Sequence, residues 1–140
     1  MSYARGMRAS VLRDYFAGRV GSWRLRRELA ELALELDEDE SPLDPLEAPF
    51  ELYPRHLVAL CEAVAARELE PVALTRVSRI VASSGEFRWS RVDPDGRVVE
   101  EVLVEWSRRG PVELEAAAMP LFRDWLVTRR RPERLADRSP

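Results

Sequence analysis

The stretch GEFRWSRVDPDGRVVEEVLVEWSRRG, residues 85–110, decides how the rest of the chain is read. Phe87 and Trp89 alternate with Arg88 and Ser90, as in a half-buried strand. Asp93, Pro94, Asp95 and Gly96 follow with turn chemistry: Pro presets φ and Gly is free to take φ > 0. Beyond them two periods compete. A hairpin needs alternation to resume after Gly96. Instead Val99, Val102, Leu103 and Trp106 recur at i, i+3, i+4, i+7, and Glu100, Glu101 and Glu105 fall mostly elsewhere on the wheel. The spacing favours a helix, with a hairpin as the alternative. Most of this stretch is therefore core rather than site.

The same period organises both flanks. Upstream, Ser10 suits an N-cap for VLRDYFAGR, which Gly18 stops, and Ser22 suits an N-cap for WRLRRELAELALEL. Leu25, Leu29, Leu32 and Leu36 form one apolar stripe there, leaving Arg24, Arg27, Glu28, Glu31 and Glu35 mainly to solvent. Pro54 fits a first helical position ahead of Leu57, Leu60, Cys61 and Val64. Leu74, Val77 and Val81 make a further stripe that Gly85 closes. Downstream, Pro120 is tolerable only in a first turn, so the last helix begins near 117–120 and turns Leu121, Phe122, Trp125 and Leu126 inward. The expectation is an all-α, single-domain bundle of about five or six helices over residues 1–128, with room for a short strand or hairpin near 86–99. Residues 129–140 read as a frayed basic tail.

Between two of these helices lies DEDESPLDPLEAPFELYP, which begins at Asp37. Four prolines among seven acids suit neither helix nor sheet strand, so 37–53 reads as an extended acidic, Pro-rich loop. Residues 37–52 hold seven acids and no base, against a net charge of −3 for all 140 residues, so this is the one marked charge feature. Such a run repels nucleic acid and attracts basic partners. The alternative is a solvated linker.

Composition excludes much else. With 46% apolar and 34% charged residues the chain can build a core, so it is not disordered throughout. All 22 basic residues are Arg, and Lys, Asn and Gln are absent, a pattern that reads as a GC-rich bacterial genome and weakens phosphate binding as a motive for the arginines. Without Lys there is no phosphate-cradling G-x-x-x-x-G-K-[ST] loop. One His and one Cys make no zinc set. Cys61 reads as a buried thiol, and His56 as a surface residue at a helix start. No serine stands in a nucleophile elbow. No cofactor or metal is expected, nor an enzyme. No apolar run suits a membrane span or a secretory signal, which implies the cytoplasm. The four tryptophans read as core, with Trp89 the one open to solvent. Its neighbours Arg88 and Arg91 suit a protein-contact anchor.

VLRDYFAGRVGSWRLRRELAEL resembles the opening of colicin-type immunity proteins: a short amphipathic helix, a break at Gly18, then Ser22 before a second helix. The pattern of Phe87, Trp89, Val99, Glu101, Val102, Leu103, Trp106, Phe122, Trp125 and Leu126 resembles uncharacterised small helical bacterial proteins. The resemblance implies a non-enzymatic protein that sequesters a cognate bacterial toxin. Its partner would be basic, and Asp37, Glu38, Asp39, Glu40, Asp44, Glu47, Tyr53 and Trp89 are the candidate contact residues. The alternative is a structural or adaptor subunit of a larger bacterial complex.

Overall fold

The computed structural model describes residues 8–35 and 48–133. In chain order these form α1 (Arg8–Phe16), α2 (Ser22–Glu35), β1 (Phe50–Glu51), α3 (Pro54–Ala65), α4 (Pro71–Ser84), β2 (Phe87–Arg88), α5 (Pro94–Arg108), two 3₁₀ turns (Pro111–Leu114 and Ala116–Ala118) and α6 (Met119–Thr128). The chain is mostly helical, and the helix expected after Gly96 is present. The 3.6 period won because burying Val98, Val99, Val102, Leu103 and Trp106 along one face requires it.

Proline and glycine set the boundaries. Pro54, Pro71 and Pro94 each stand in the first turn of a helix, where the missing N–H has no carbonyl to reach. Gly18 (φ +81°) and Gly85 (φ +76°) end α1 and α4 in the left-handed region that side chains avoid. The Asp93–Gly96 turn chemistry is spent differently from expectation. Pro94 and Gly96 are the first turn of α5 itself, and the turn lies earlier, where the Ser90 hydroxyl accepts the N–H groups of Val92 and Asp93 (3.1 and 3.0 Å). Gly96 lets α5 lie against that turn, because a Cβ there would collide with the Ser90 carbonyl oxygen and stand 2.6 Å from the Ser90 nitrogen.

Helix α3 packs on α6, α4 on α5, and α5 touches both α3 and α6, so four helices enclose one core; α1 and α2 pair beside it, with α2 resting on α4. One end of the core is aromatic. Phe122 sits between Trp106 (5.9 Å, edge-on) and Trp125 (6.4 Å, stacked), and all three rings are essentially inaccessible. Neither indole N–H has a hydrogen-bond partner among the described residues, so packing holds this cluster, joined by the Arg131 guanidinium 5.0 Å over the Trp125 ring. At the other end Phe16, Phe50, Phe87 and His56 converge with centroid distances of 5.2–6.1 Å.

Several expectations are corrected. Phe50–Glu51 is a strand, although the Pro-rich segment was read as unable to supply one. It pairs in parallel with Phe87–Arg88, in the register Phe50↔Phe87 and Glu51↔Arg88. A two-residue strand fits within the four residues between Pro49 and Pro54, and the donors used are the N–H groups of Phe50 (to Glu86, 2.9 Å) and Leu52 (to Arg88, 2.8 Å), so proline removes no bond that the sheet needs. Helices α3 and α4 supply the crossover a parallel pair demands. Ser10 lies inside α1 rather than capping it. Ser22 is the first residue of α2, and its hydroxyl donates to Glu68 (3.1 Å), tying α2 to the α3–α4 turn. Glu28, expected mainly in solvent, and Glu105, expected mostly off the apolar face of its helix, are both buried. Glu28 lies 3.9 Å from Arg24, and Glu105 is enclosed by arginines described below. Of the segment read as tail, Arg129 reaches Asp95 (2.6 Å) and Arg131 reaches Glu105 (3.0 Å), so its first residues follow α5.

Candidate functional site

Of the candidate contact residues, Asp37, Glu38, Asp39, Glu40, Asp44 and Glu47 lie outside the described residues. Tyr53 and Trp89 are described, and the parallel register carries both to the same end of the two-stranded sheet, just beyond Leu52 and Arg88.

Tyr53 is 40% exposed. Its backbone is fixed: it is the N-cap of α3, and its N–H donates to His56 Nδ1 (2.9 Å), a cap in which the imidazole plays the part that Glu or Gln plays in a capping box. The guanidinium of Arg55 lies 4.9 Å above its ring. Beside it, Glu51 and Arg88 pair across the sheet at 3.3 Å, both substantially exposed. The ring is thus an open aromatic on a rigid base. Trp89 differs. It is half-buried against the core, and its indole N–H already donates to Glu100 (3.0 Å), which also pairs with Arg91 (3.3 Å). Arg91 in turn lies 5.9 Å from the Trp89 ring centre. Trp89 offers one face, with its polar handle in use.

His56 is buried, against its reading as a surface residue, because Phe16, Phe50 and Tyr53 surround its ring at 5.2–5.9 Å. Burial, with the Arg55 charge assisting, lowers its pKa to about 4, so at neutral pH it is an uncharged cap acceptor. The Cys61 thiol is buried as expected, and burial, followed by the Glu62 charge, pushes it up to about 12. Neither group is set to move a proton or attack a substrate near neutrality. Among the described residues no group of three or more His, Cys, Asp or Glu is arranged to hold a metal ion, and no helix is long and apolar enough to cross a membrane. An open groove of about 400 Å³ runs between α3 and α6 over Cys61, Ala65, Met119 and Pro120, with the Glu62–Arg123 pair (3.3 Å) at its rim.

Trp23, expected in the core with the other tryptophans, is 63% exposed, with Arg27 5.5 Å over its ring. The signal was present: at 100° per residue Trp23 stands about 200° from Leu25, opposite the buried stripe. No family model, curated protein or solved structure matches this chain.

Proposed function

We propose that the chain is a non-enzymatic protein-binding module, similar in role to immunity proteins that sequester a cognate toxin. The acidic run steers a basic partner, and a pre-ordered aromatic makes the central contact. Tyr53 carries the reading. It follows Glu51, the last acid of the run, by two residues, and its ring is open while its backbone is locked as a helix cap. An aromatic that needs no ordering on binding is the usual anchor of a hot spot. The state of His56 and Cys61 supports a binding rather than a catalytic role. The expected setting is the cytoplasm, with a basic protein as partner and neither nucleic acid nor membrane involved.

Capture of the tagged chain from its bacterial lysate, at low and moderate salt, tests this reading. One stoichiometric basic protein, lost as salt rises, is the expected result. With that partner in hand, changing Asp37, Glu38, Asp39 and Glu40 to Ser lowers the on-rate by about tenfold at low salt, and Tyr53→Ala speeds dissociation. An on-rate indifferent to the four substitutions refutes the steering mechanism. The apolar groove between α3 and α6 favours a second reading, an adaptor subunit of a larger complex. Several proteins retained regardless of salt would select it.

A further inference from the structure

Helix α2 has two unlike faces. Leu25, Glu28 and Leu29 are buried toward the body of the protein. On the other side Trp23, Arg26, Arg27 and Ala30, at i, i+3, i+4 and i+7, are all exposed. Trp23 at 63% exposure is the largest open aromatic among the described residues. Arg27 lies over its ring and reaches Glu31 at 3.6 Å, while Arg26 forms no ion pair among the described residues. Ala30 leaves a step beside the arginines. The face is cationic, with one aromatic plate, on a chain whose net charge is −3.

We propose that this face is a self-association surface, on which Trp23, Arg26 and Arg27 of one copy receive the acidic segment 37–47 of a second copy. Charge complementarity points to that occupant. The segment carries six carboxylates and no base, and Leu43 and Leu46 lie among them as apolar partners for the indole. For Asp37, Glu38, Asp39 and Glu40 a second copy is favoured over the chain's own segment, because at most about 17 Å of chain separates the end of α2 from Glu40. The segment leaves from the C-terminal end of α2, whereas Trp23 stands near the other end, about 18 Å away along the axis at 1.5 Å per residue. Two α2 helices laid antiparallel bring the segment of each beside the Trp23 of the other. The arrangement is a closed two-fold dimer in which every contact occurs twice. It does not rest on the toxin-binding reading: Trp23→Ala removes this plate and leaves Tyr53 and the acidic run untouched.

Sedimentation of the full-length chain over a range of concentrations, at ~50 mM and ~500 mM salt, provides the test. The expected result is a concentration-dependent dimer that weakens with salt. Trp23→Ala should weaken it ~30-fold or more, as for an interface hot spot. Arg26→Glu with Arg27→Glu abolishes self-association, and so does changing Asp37, Glu38, Asp39 and Glu40 to Arg. Mixing these two charge-reversed chains restores a dimer, because each then presents what the other lacks. Trp23, Arg26 and Arg27 are exposed, and circular dichroism checks that each variant is folded. A wild-type chain that stays monomeric at low salt overturns the proposal. So does a dimer that is indifferent to Trp23→Ala and to both charge reversals.

Discussion

Replacing Glu105 tests whether the enclosed carboxylate holds the C-terminal end of α5 together. Its two oxygens accept from Arg109 Nε (2.8 Å) and Arg131 Nη1 (3.0 Å), and the side chains of Glu105 and Arg109 are each only 8% exposed. The Arg109 carbonyl also accepts the Thr75 hydroxyl (3.2 Å), so the cluster joins α4 to α5. Removing one member of a buried pair leaves the other as an unpaired buried charge, at a cost of about 3–5 kcal/mol. Arg131 is 40% exposed, so screening confines its share to well under about 1 kcal/mol. Glu105→Ala should therefore destabilise by about 3 kcal/mol, near the low end of that range, lowering Tm by roughly 10 °C for a chain of this size. Glu105→Gln keeps one acceptor and should cost about half as much. Changing both Glu105 and Arg109 to Met removes the charges together and should come within about 1 kcal/mol of wild type. Burial alone would raise the Glu105 carboxyl, but the hydrogen bonds and charges of Arg109 and Arg131 outweigh it and hold the group below the usual range. A lowered carboxyl stabilises the fold above its unfolded value near 4.5, and that contribution fades as pH falls through the folded value. Urea melts at neutral and acidic pH measure all of this. A Glu105→Ala loss under about 0.5 kcal/mol, or a double Met variant as damaged as Glu105→Ala, would refute the account.

Other predictions follow from the same geometry. Gly96→Ala would ordinarily favour a helix by about 1 kcal/mol, but here the new Cβ meets the Ser90 backbone, so a loss of about 3 kcal/mol is expected in denaturant melts; a stabilised variant refutes the close approach. His56 has a folded pKa of about 4 against 6.5 unfolded, so its contribution is complete above 6.5 and is lost as pH falls toward 4, by up to about 3 kcal/mol. His56→Gln, which can still cap Tyr53, should flatten that part of the stability–pH curve. Cys61 should resist thiol reagents at about pH 8 except through unfolding, because the thiol is both buried and protonated there; rapid labelling of the native chain would contradict its position.

Legibility in the sequence followed the range of the interaction. Apolar spacing between Val99 and Trp106 is local, and no strand could bury those four residues on one side, so α5 was readable. Pro54 and Gly85 act on their own backbone and marked helix ends for the same reason. Trp23 was legible and overlooked: its residue type suggested core while its angle on the wheel pointed outward. His56 was misread because nothing adjacent in sequence announces that Phe16, forty residues away, will close over it. Of the candidate contact residues, Tyr53 at the exit of the acidic run needed only sequence to be noticed, but its locked cap and open ring did not show there.

The sequence by itself determined that this chain is helical, where most of its helices run, and that its negative charge is concentrated in one Pro-rich segment. Those properties depend on neighbours within a few turns. Tertiary structure alone decided that Phe50–Glu51 pairs with Phe87–Arg88, 37 residues away, and that Glu105 is enclosed by Arg131, 26 residues further on. A strand of two residues has no period to read, and a glutamate on a helix is solvent-facing until a distant arginine reaches it. Such contacts exist only once the helices have packed, because packing supplies both the partner and the exclusion of water that makes the pairing count.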